Sequence, residues 1–283
     1  MKIKIKPQRK YHFSPLRYPG GKTSLFPFFD DVLKKNNLYE GTYIEPFAGG
    51  AGAALSLLLL EKVEKIAIND LDPAIYAFWK SSIFDANKFI AKIKRTNVSI
   101  EEWRKQKKIY KNKNSSEFKL GFAVFFLNRT NQSGIIEGGP IGGIEQKGKW
   151  KIDARFNKDA LIKKIQKIAL YKDRIKVLNM DGLDLLLRYK KNKNILIYLD
   201  PPYYIKGSSL YLNHYNEGNH SKLAAFLNKN NKLNWILTYD NVMPIRKLYP
   251  KRRVSNFLIN YSANKNVKGS EIMVFSDAIK LTC

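Results

Sequence analysis

Apolar and polar positions along this chain follow two periods in turn. Short apolar runs rich in β-branched and aromatic residues cover residues 42–46, 65–70, 175–181, 194–200, 234–240, 254–261 and 271–276, and each reads as a strand. Between them lie stretches with helical spacing, such as residues 51–61, which follow a glycine-rich turn. Strand and helix in alternation predict an α/β fold with a mostly parallel sheet and helices on its faces. Several strands end on an acid or an amide, as expected where carboxyl ends line a site.

The rhythm breaks over residues 73–158. This segment starts helical and aromatic at Tyr76, Phe78 and Trp79, turns strongly basic over 88–113, and carries a further helix over 117–128. A glycine-rich stretch at 133–149 follows and reads as a hairpin or loop. The expected organisation is a core of residues 1–72 and 159–283, interrupted by an inserted subdomain at 73–158.

The strand ending at Leu199 runs directly into Asp200-Pro201-Pro202-Tyr203. Two prolines cannot donate to a sheet ladder, so the chain must leave the sheet there. An acid, exposed carbonyls and an aromatic ring are thereby placed where open α/β sheets bind ligands. The groups suit a flat, amine-bearing ring such as a nucleobase. Asp200 and the carbonyl of Pro201 would accept the two N–H bonds of an exocyclic amine and free its conjugated lone pair, while Tyr203 stacks on the ring. The same four residues also serve as an acid cap on a strand-to-helix turn with Tyr203 as packing, and the rest of the chain must decide.

Length and charge narrow the choice. The chain has 283 residues and is 44% hydrophobic, enough for a large core, and no run is long enough to span a membrane. The single cysteine, Cys283, and three histidines, His12, His214 and His220, argue against disulfides and a metal centre. A cytoplasmic, metal-free protein is expected. The 51 Lys and Arg against 24 Asp and Glu leave a formal charge of +27, which favours a polyanionic partner. Lysine and asparagine are abundant throughout, so charge alone does not decide for nucleic acid.

A second chemical element is Tyr43-Ile44-Glu45-Pro46-Phe47-Ala48-Gly49-Gly50-Ala51-Gly52, a strand, a glycine-rich turn and a helix start. Such a turn brings backbone close to a ligand, and the next strand, ending at Asn69-Asp70, puts a carboxylate where ribose hydroxyls are held. The spacing alone fits any adenosine cofactor, NAD included, or simply a tight packing turn. The glycines are not spaced as a dinucleotide fingerprint, so S-adenosylmethionine, which needs no pyrophosphate cradle, fits better. Earlier, Tyr18-Pro19-Gly20-Gly21-Lys22 is either a plain turn or a turn that brings Lys22 to a cofactor carboxylate.

Together with Phe126-Leu127-Asn128-Arg129, these pieces resemble the DNA adenine methylase family, the D12-class N6-adenine methyltransferases. Cofactor motifs come first, the insert next and the catalytic tetrapeptide last, and the resemblance spans nearly the whole chain. It implies a Rossmann-like, seven-stranded S-adenosylmethionine-dependent core with an inserted helical DNA-recognition domain carrying a hairpin. It implies cofactor contacts from Tyr18, Lys22, Glu45, Pro46, Phe47, Ala48, Gly49, Gly50 and Asp200, with Asp70 on the ribose and Asp181 near the adenine. Asp200, Pro201, Pro202 and Tyr203 would be catalytic. Asn128, Arg129, Gln132, Ser133, Ile135 and Glu137 would meet double-stranded DNA, the protein acting as a monomer or weak dimer.

One departure bears on specificity. Family members that read GATC carry an aromatic two residues before a hairpin glycine and an arginine three after it. Here the glycine is Gly134, flanked by Gln132 and Glu137. An arginine reads guanine, whereas a glutamate accepts from cytosine N4, so a site other than GATC is expected. Competing readings are an RNA or protein methyltransferase with the same core, and a catalytically silent DNA-binding protein.

Overall fold

The computed structural model describes residues 12–17, 22–204, 215–261 and 267–281. Among them, seven strands form one sheet: β1 (Thr42–Glu45), β2 (Lys65–Asn69), β3 (Ile175–Leu178), β4 (Ile195–Leu199), β5 (Trp235–Asp240), β6 (Arg253–Tyr261) and β7 (Val267–Phe275). Their order is β3-β2-β1-β4-β5-β7-β6, with β7 antiparallel to both β5 and β6 and the pairs from β3 to β5 parallel. All seven expected strands are present, and the architecture is the Rossmann-like α/β type. Strand order reverses between β1 and β4, which opens a crevice at their carboxyl ends.

Alternation along each strand feeds two cores. Leu196 and Tyr198 of β4 face one side with Tyr43, Ile66 and Ile236, while Ile195, Ile197 and Leu199 face the other with Ile44, Trp235 and Leu237. Burial on both faces is why β4 reads as an unbroken apolar run. Helices α1 (Phe26–Lys35), α2 (Gly52–Leu59), α3 (Pro73–Phe84), α4 (Ala86–Arg95), α5 (Ile100–Lys111), α6 (Glu117–Thr130) and α7 (Lys158–Ala169) contribute to the first core. Helices α8 (Gly182–Tyr189), α9 (Glu217–Lys229) and α10 (Met243–Leu248) cover the second. None of the helices among the described residues is long and apolar enough to cross a membrane.

Local sequence explains the helix starts. Asp72 accepts from Ala74 N at 2.8 Å ahead of Pro73, Ser99 from Glu102 N at 3.1 Å, and Asn157 from Ala160 N at 2.9 Å. The segment 73–158 packs its helices through aromatics: Phe78 stacks on Phe125 at 6.0 Å, and Phe125 meets Phe156 edge-on at 5.4 Å. These rings belong to the same continuous cluster as the sheet face beneath them. The expected hairpin after α6 takes the form of a loop closed by a single antiparallel bridge, Asn131 with Pro140. Pro140 has no N–H, and positive φ at Ser133, Gly134, Gly142 and Gly143 turns the chain before a ladder extends.

Helix α6 crosses α3 closely because Gly121 has no side chain. A Cβ there would lie against the Ala77 carbonyl, 2.7 Å from its carbon and 2.9 Å from Phe78 N, all of it backbone that cannot swing aside. Gly121→Ala is expected to lower stability by about 1–3 kcal/mol despite alanine's better helix propensity. A urea midpoint at or above wild type would contradict that packing.

Candidate active site

Asp200 stands at the end of β4, and its neighbours converge on it from three directions. Lys22, in a short 3-10 turn over Lys22–Leu25, donates to Asp200 Oδ2 at 2.8 Å and to the Tyr203 hydroxyl at 2.8 Å. Thr238 of β5 donates to Asp200 Oδ1 at 2.7 Å and is itself within 2.7 Å of the Tyr198 hydroxyl. Glu271 of β7 lies 3.7 Å from Lys22 Nζ and accepts from the Tyr203 hydroxyl at 2.5 Å. The Tyr203 hydroxyl also approaches Asp200 Oδ1 at 3.3 Å, but its single proton goes to the nearer Glu271.

Charge explains this arrangement. Burial alone would depress the Lys22 ammonium, yet the charges of Asp200 and Glu271 and its hydrogen bonds raise its pKa above the ordinary lysine value. Lys22, the residue expected to meet a cofactor carboxylate, is 6% exposed and is drawn inward by two protein carboxylates. Tyr203 was expected to stack on a base. Its ring is 9% exposed and its hydroxyl is tied to Lys22 and Glu271, because a phenol between an ammonium and a carboxylate gains two charge-assisted bonds. The Asp200 carboxylate keeps 21% of its side-chain surface open.

The glycine-rich turn after β1 lies beside this network and is held rigidly. Asn69 donates to the Pro46 and Met180 carbonyls at 2.8 and 2.9 Å and accepts from Met180 N at 3.1 Å, so one amide joins the ends of β1, β2 and β3. Ala48 N donates to the Asn69 carbonyl at 2.8 Å, and Trp79 Nε1 of α3 to the Gly49 carbonyl at 2.8 Å. Gly49 and Ala51 take left-handed φ of 45° and 46°, so the turn is tight enough to bring Gly52 against Thr23. Ala51 caps α2 without a side-chain bond, and Glu45 supplies the missing acceptor by taking the Ala54 N–H at 3.0 Å.

Two carboxyls here are strongly perturbed. Burial pushes Glu45 up to about 8, against bonds from Ala54 and Tyr43 that pull it down. Burial likewise raises Asp70 to about 7, although its oxygens accept from Gly49 N at 2.9 Å and Asp72 N at 3.0 Å. Phe47 is half-buried against Gly182 and meets Tyr215 edge-on at 5.5 Å. Asp181 caps α8 by accepting from Leu183 N at 2.8 Å. Gly50 is buried in the turn, and Tyr18 lies outside the described residues.

The residues expected to meet DNA separate into two groups. Asn128 is 1% exposed: it accepts from Arg17 N at 2.7 Å and donates to the Arg17 and Gly134 carbonyls at 2.9 and 2.8 Å. Its amide is used in holding the loop. Arg129 is half-buried and donates to the Arg155 carbonyl at 2.7 Å. Gln132, Ile135 and Glu137 are exposed and Ser133 is partly so; Lys107 pairs with Glu137 at 3.2 Å.

Sequence reading overlooked Glu271, Thr238 and Trp79. For Glu271 a signal was present, since it is the one acid at the head of the apolar run Glu271-Ile272-Met273-Val274-Phe275. Among the described residues no group of three or more His, Cys, Asp or Glu is placed to hold a metal ion. The family model for D12 class N6 adenine-specific DNA methyltransferases matches residues 18–263, from just before Lys22 to past β6. The chain belongs to that family. It is an adenine-specific DNA methyltransferase.

A solved rRNA methyltransferase, aviRa from Streptomyces viridochromogenes, is similar over 92% of this chain and 87% of its own, at 12% identity and a TM-score of 0.39, too distant to argue from. No curated protein matches the methyltransferase.

Glu45 gives the enzyme a pH signature. Below pH 4.5 its carboxyl is protonated both folded and unfolded; above that the unfolded chain ionises while the folded enzyme holds the proton up to about 8. Stability therefore falls with rising pH across that window. Glu45→Gln keeps an acceptor for Ala54 N–H and removes the titration, so its stability should decline less than wild type between pH 5 and pH 8. Parallel thermal melts showing the same decline in both proteins would rule this out.

Proposed function

We propose that the enzyme transfers a methyl group from S-adenosylmethionine to N6 of an adenine flipped out of duplex DNA, at a site other than GATC. The observation that carries the reading is Asp200-Pro201-Pro202-Tyr203 at the open carboxyl end of β4, beside the turn after β1. S-adenosylmethionine, when bound, supplies an electrophilic methyl on sulfonium. The crevice suits it: Phe47 and Tyr215 offer an apolar wall for an adenine, Asp70 an acid for ribose hydroxyls, and the turn 46–50 close-lying backbone. Asp181 borders the same wall through Gly182.

Asp200 and the Pro201 carbonyl accept the two N6–H bonds of the target base, and this frees the amine lone pair. Lys22 and Thr238 each occupy one oxygen of Asp200, so the carboxylate is fixed before the base arrives rather than reorienting during reaction. Pro202 and Tyr203 shape the wall of the base site, the latter as a spacer between Lys22 and Glu271. The adenine must leave the stack to reach Asp200, at a cost of a few kcal/mol. Segment 73–158 is the target-recognition part, with Arg129, Gln132, Ser133, Ile135 and Glu137 meeting DNA and Asn128 holding their loop. The +27 charge supports a polyanionic substrate, and the enzyme acts in the cytoplasm as a monomer or weak dimer.

Expression in a host lacking adenine methylation, followed by sequencing that reports N6-methyladenine directly, tests the reading. Methylated adenines in one short context other than GATC are expected. Asp200→Ala should lower transfer by at least ~100-fold while duplex binding survives. Wild-type turnover in that variant would sink the role of Asp200, and GATC as the dominant modified site would sink the specificity.

A further inference from the structure

Four cations crowd together where the chain leading to Lys22 passes the recognition segment. Arg17 Nη1 donates to the Asn131 carbonyl at 3.0 Å, and Lys164 Nζ of α7 to the Ser14 carbonyl at 3.0 Å. Arg129 Nε donates to the Arg155 carbonyl at 2.7 Å, which brings the Arg155 side chain to the same place. Asn128 grips the main chain of Arg17 on both sides, fixing it beside the last turn of α6.

These contacts orient the charges without neutralising them. Carbonyls are the hydrogen-bond partners of Arg17, Arg129 and Lys164, and the three side chains are only partly exposed. Among the described residues none of the four forms an ion pair, and segments 1–11, 18–21, 205–214, 262–266 and 282–283 contain no Asp or Glu. So no acidic side chain of this protein serves the cluster. The charges its members feel are one another's. Burial and then Arg155 lower Arg17; burial, Arg17 and Arg155 lower Arg129 to about 10; burial and Arg129 lower Lys164. A partly desolvated cluster of one sign is repulsive until an anion enters it.

We infer that Arg17, Arg129, Arg155 and Lys164 form a binding site for backbone phosphate of the substrate duplex, separate from the positions that read bases. Guanidinium groups match phosphate oxygens in paired, charge-assisted bonds, and the site adjoins the loop carrying Gln132 and Ser133. This rests on duplex DNA being the substrate. Arg129, expected from sequence to meet DNA, thereby acquires a sequence-independent role and three partners distant in the chain.

Equilibrium binding of a fluorescent duplex to the full chain, measured across a salt series, tests the assignment. Arg155→Gln is the cleanest variant, because only the Arg155 main chain is used in a hydrogen bond; Lys164→Gln is the second. Each should weaken binding roughly three- to tenfold, equally on target and unrelated duplexes, and flatten the log–log salt slope by about 0.9. Lys190→Gln, at the far end of α8 from the crevice, should leave the slope unchanged and so separates a site from bulk charge. Unaltered slopes in both cluster variants, with wild type still binding duplex, overturn the inference alone. A loss confined to one sequence overturns it too, by assigning base reading. A wild type that binds no duplex overturns both the inference and the reading beneath it.

Discussion

A lysine ammonium between a buried carboxylate and a partly open one holds this site together. Lys22 precedes α1, Asp200 ends β4 and Glu271 opens the inner half of the antiparallel strand β7, so one cation ties three distant parts of the chain. Neither acid would be tolerated there alone, since an unpaired buried charge costs several kcal/mol. The two carboxylates outnumber the cation they share. Tyr203 donates to Glu271 and Thr238 to Asp200, whose carboxylate is left with one open side.

Around that anchor the fold separates two tasks by strand. The β1 end carries the rigid turn of residues 46–51, and the adjacent β4 end carries Asp200; they meet because β1 and β4 are hydrogen-bonded neighbours. Asn69 stitches three strand ends, and Trp79 reaches from the first helix of the recognition segment to the same turn. Segment 73–158 is thus fused to the sheet through both an aromatic cluster and a direct hydrogen bond. Both raised carboxyls, Glu45 and Asp70, belong to this turn, where burial outweighs the backbone donors they satisfy.

Much of this was legible in the sequence. Buried strands announce themselves as alternating or unbroken apolar runs, and Asp200-Pro201-Pro202-Tyr203 marks a strand end unambiguously because proline cannot continue a ladder. Partner choice was not legible. Nothing local to Lys22 says that it prefers Asp200 to a ligand, and nothing local to Asn128 says that its amide is consumed by Arg17 and Gly134. Those outcomes are set by which groups the folded sheet brings within 3 Å, and by the cost of leaving any of them unpaired. The glycine-rich stretch after α6 left hairpin and loop both open, because glycine density signals a turn but not whether strands flank it.

The pairing of β1 with β4 has a consequence for how the protein is made. Thr42 aligns with Ile195, so the centre of the sheet cannot zip until everything between them has emerged from the ribosome. The network that begins at residue 22 closes only with residue 271, on the last of the seven described strands. Such a topology has high contact order and folds slowly, with its middle strands exposed in the interim. A chain cut short of Glu271 can hold the glycine-rich turn, the helices of residues 73–158 and Asp200, yet lacks one of the two carboxylates that draw Lys22 inward.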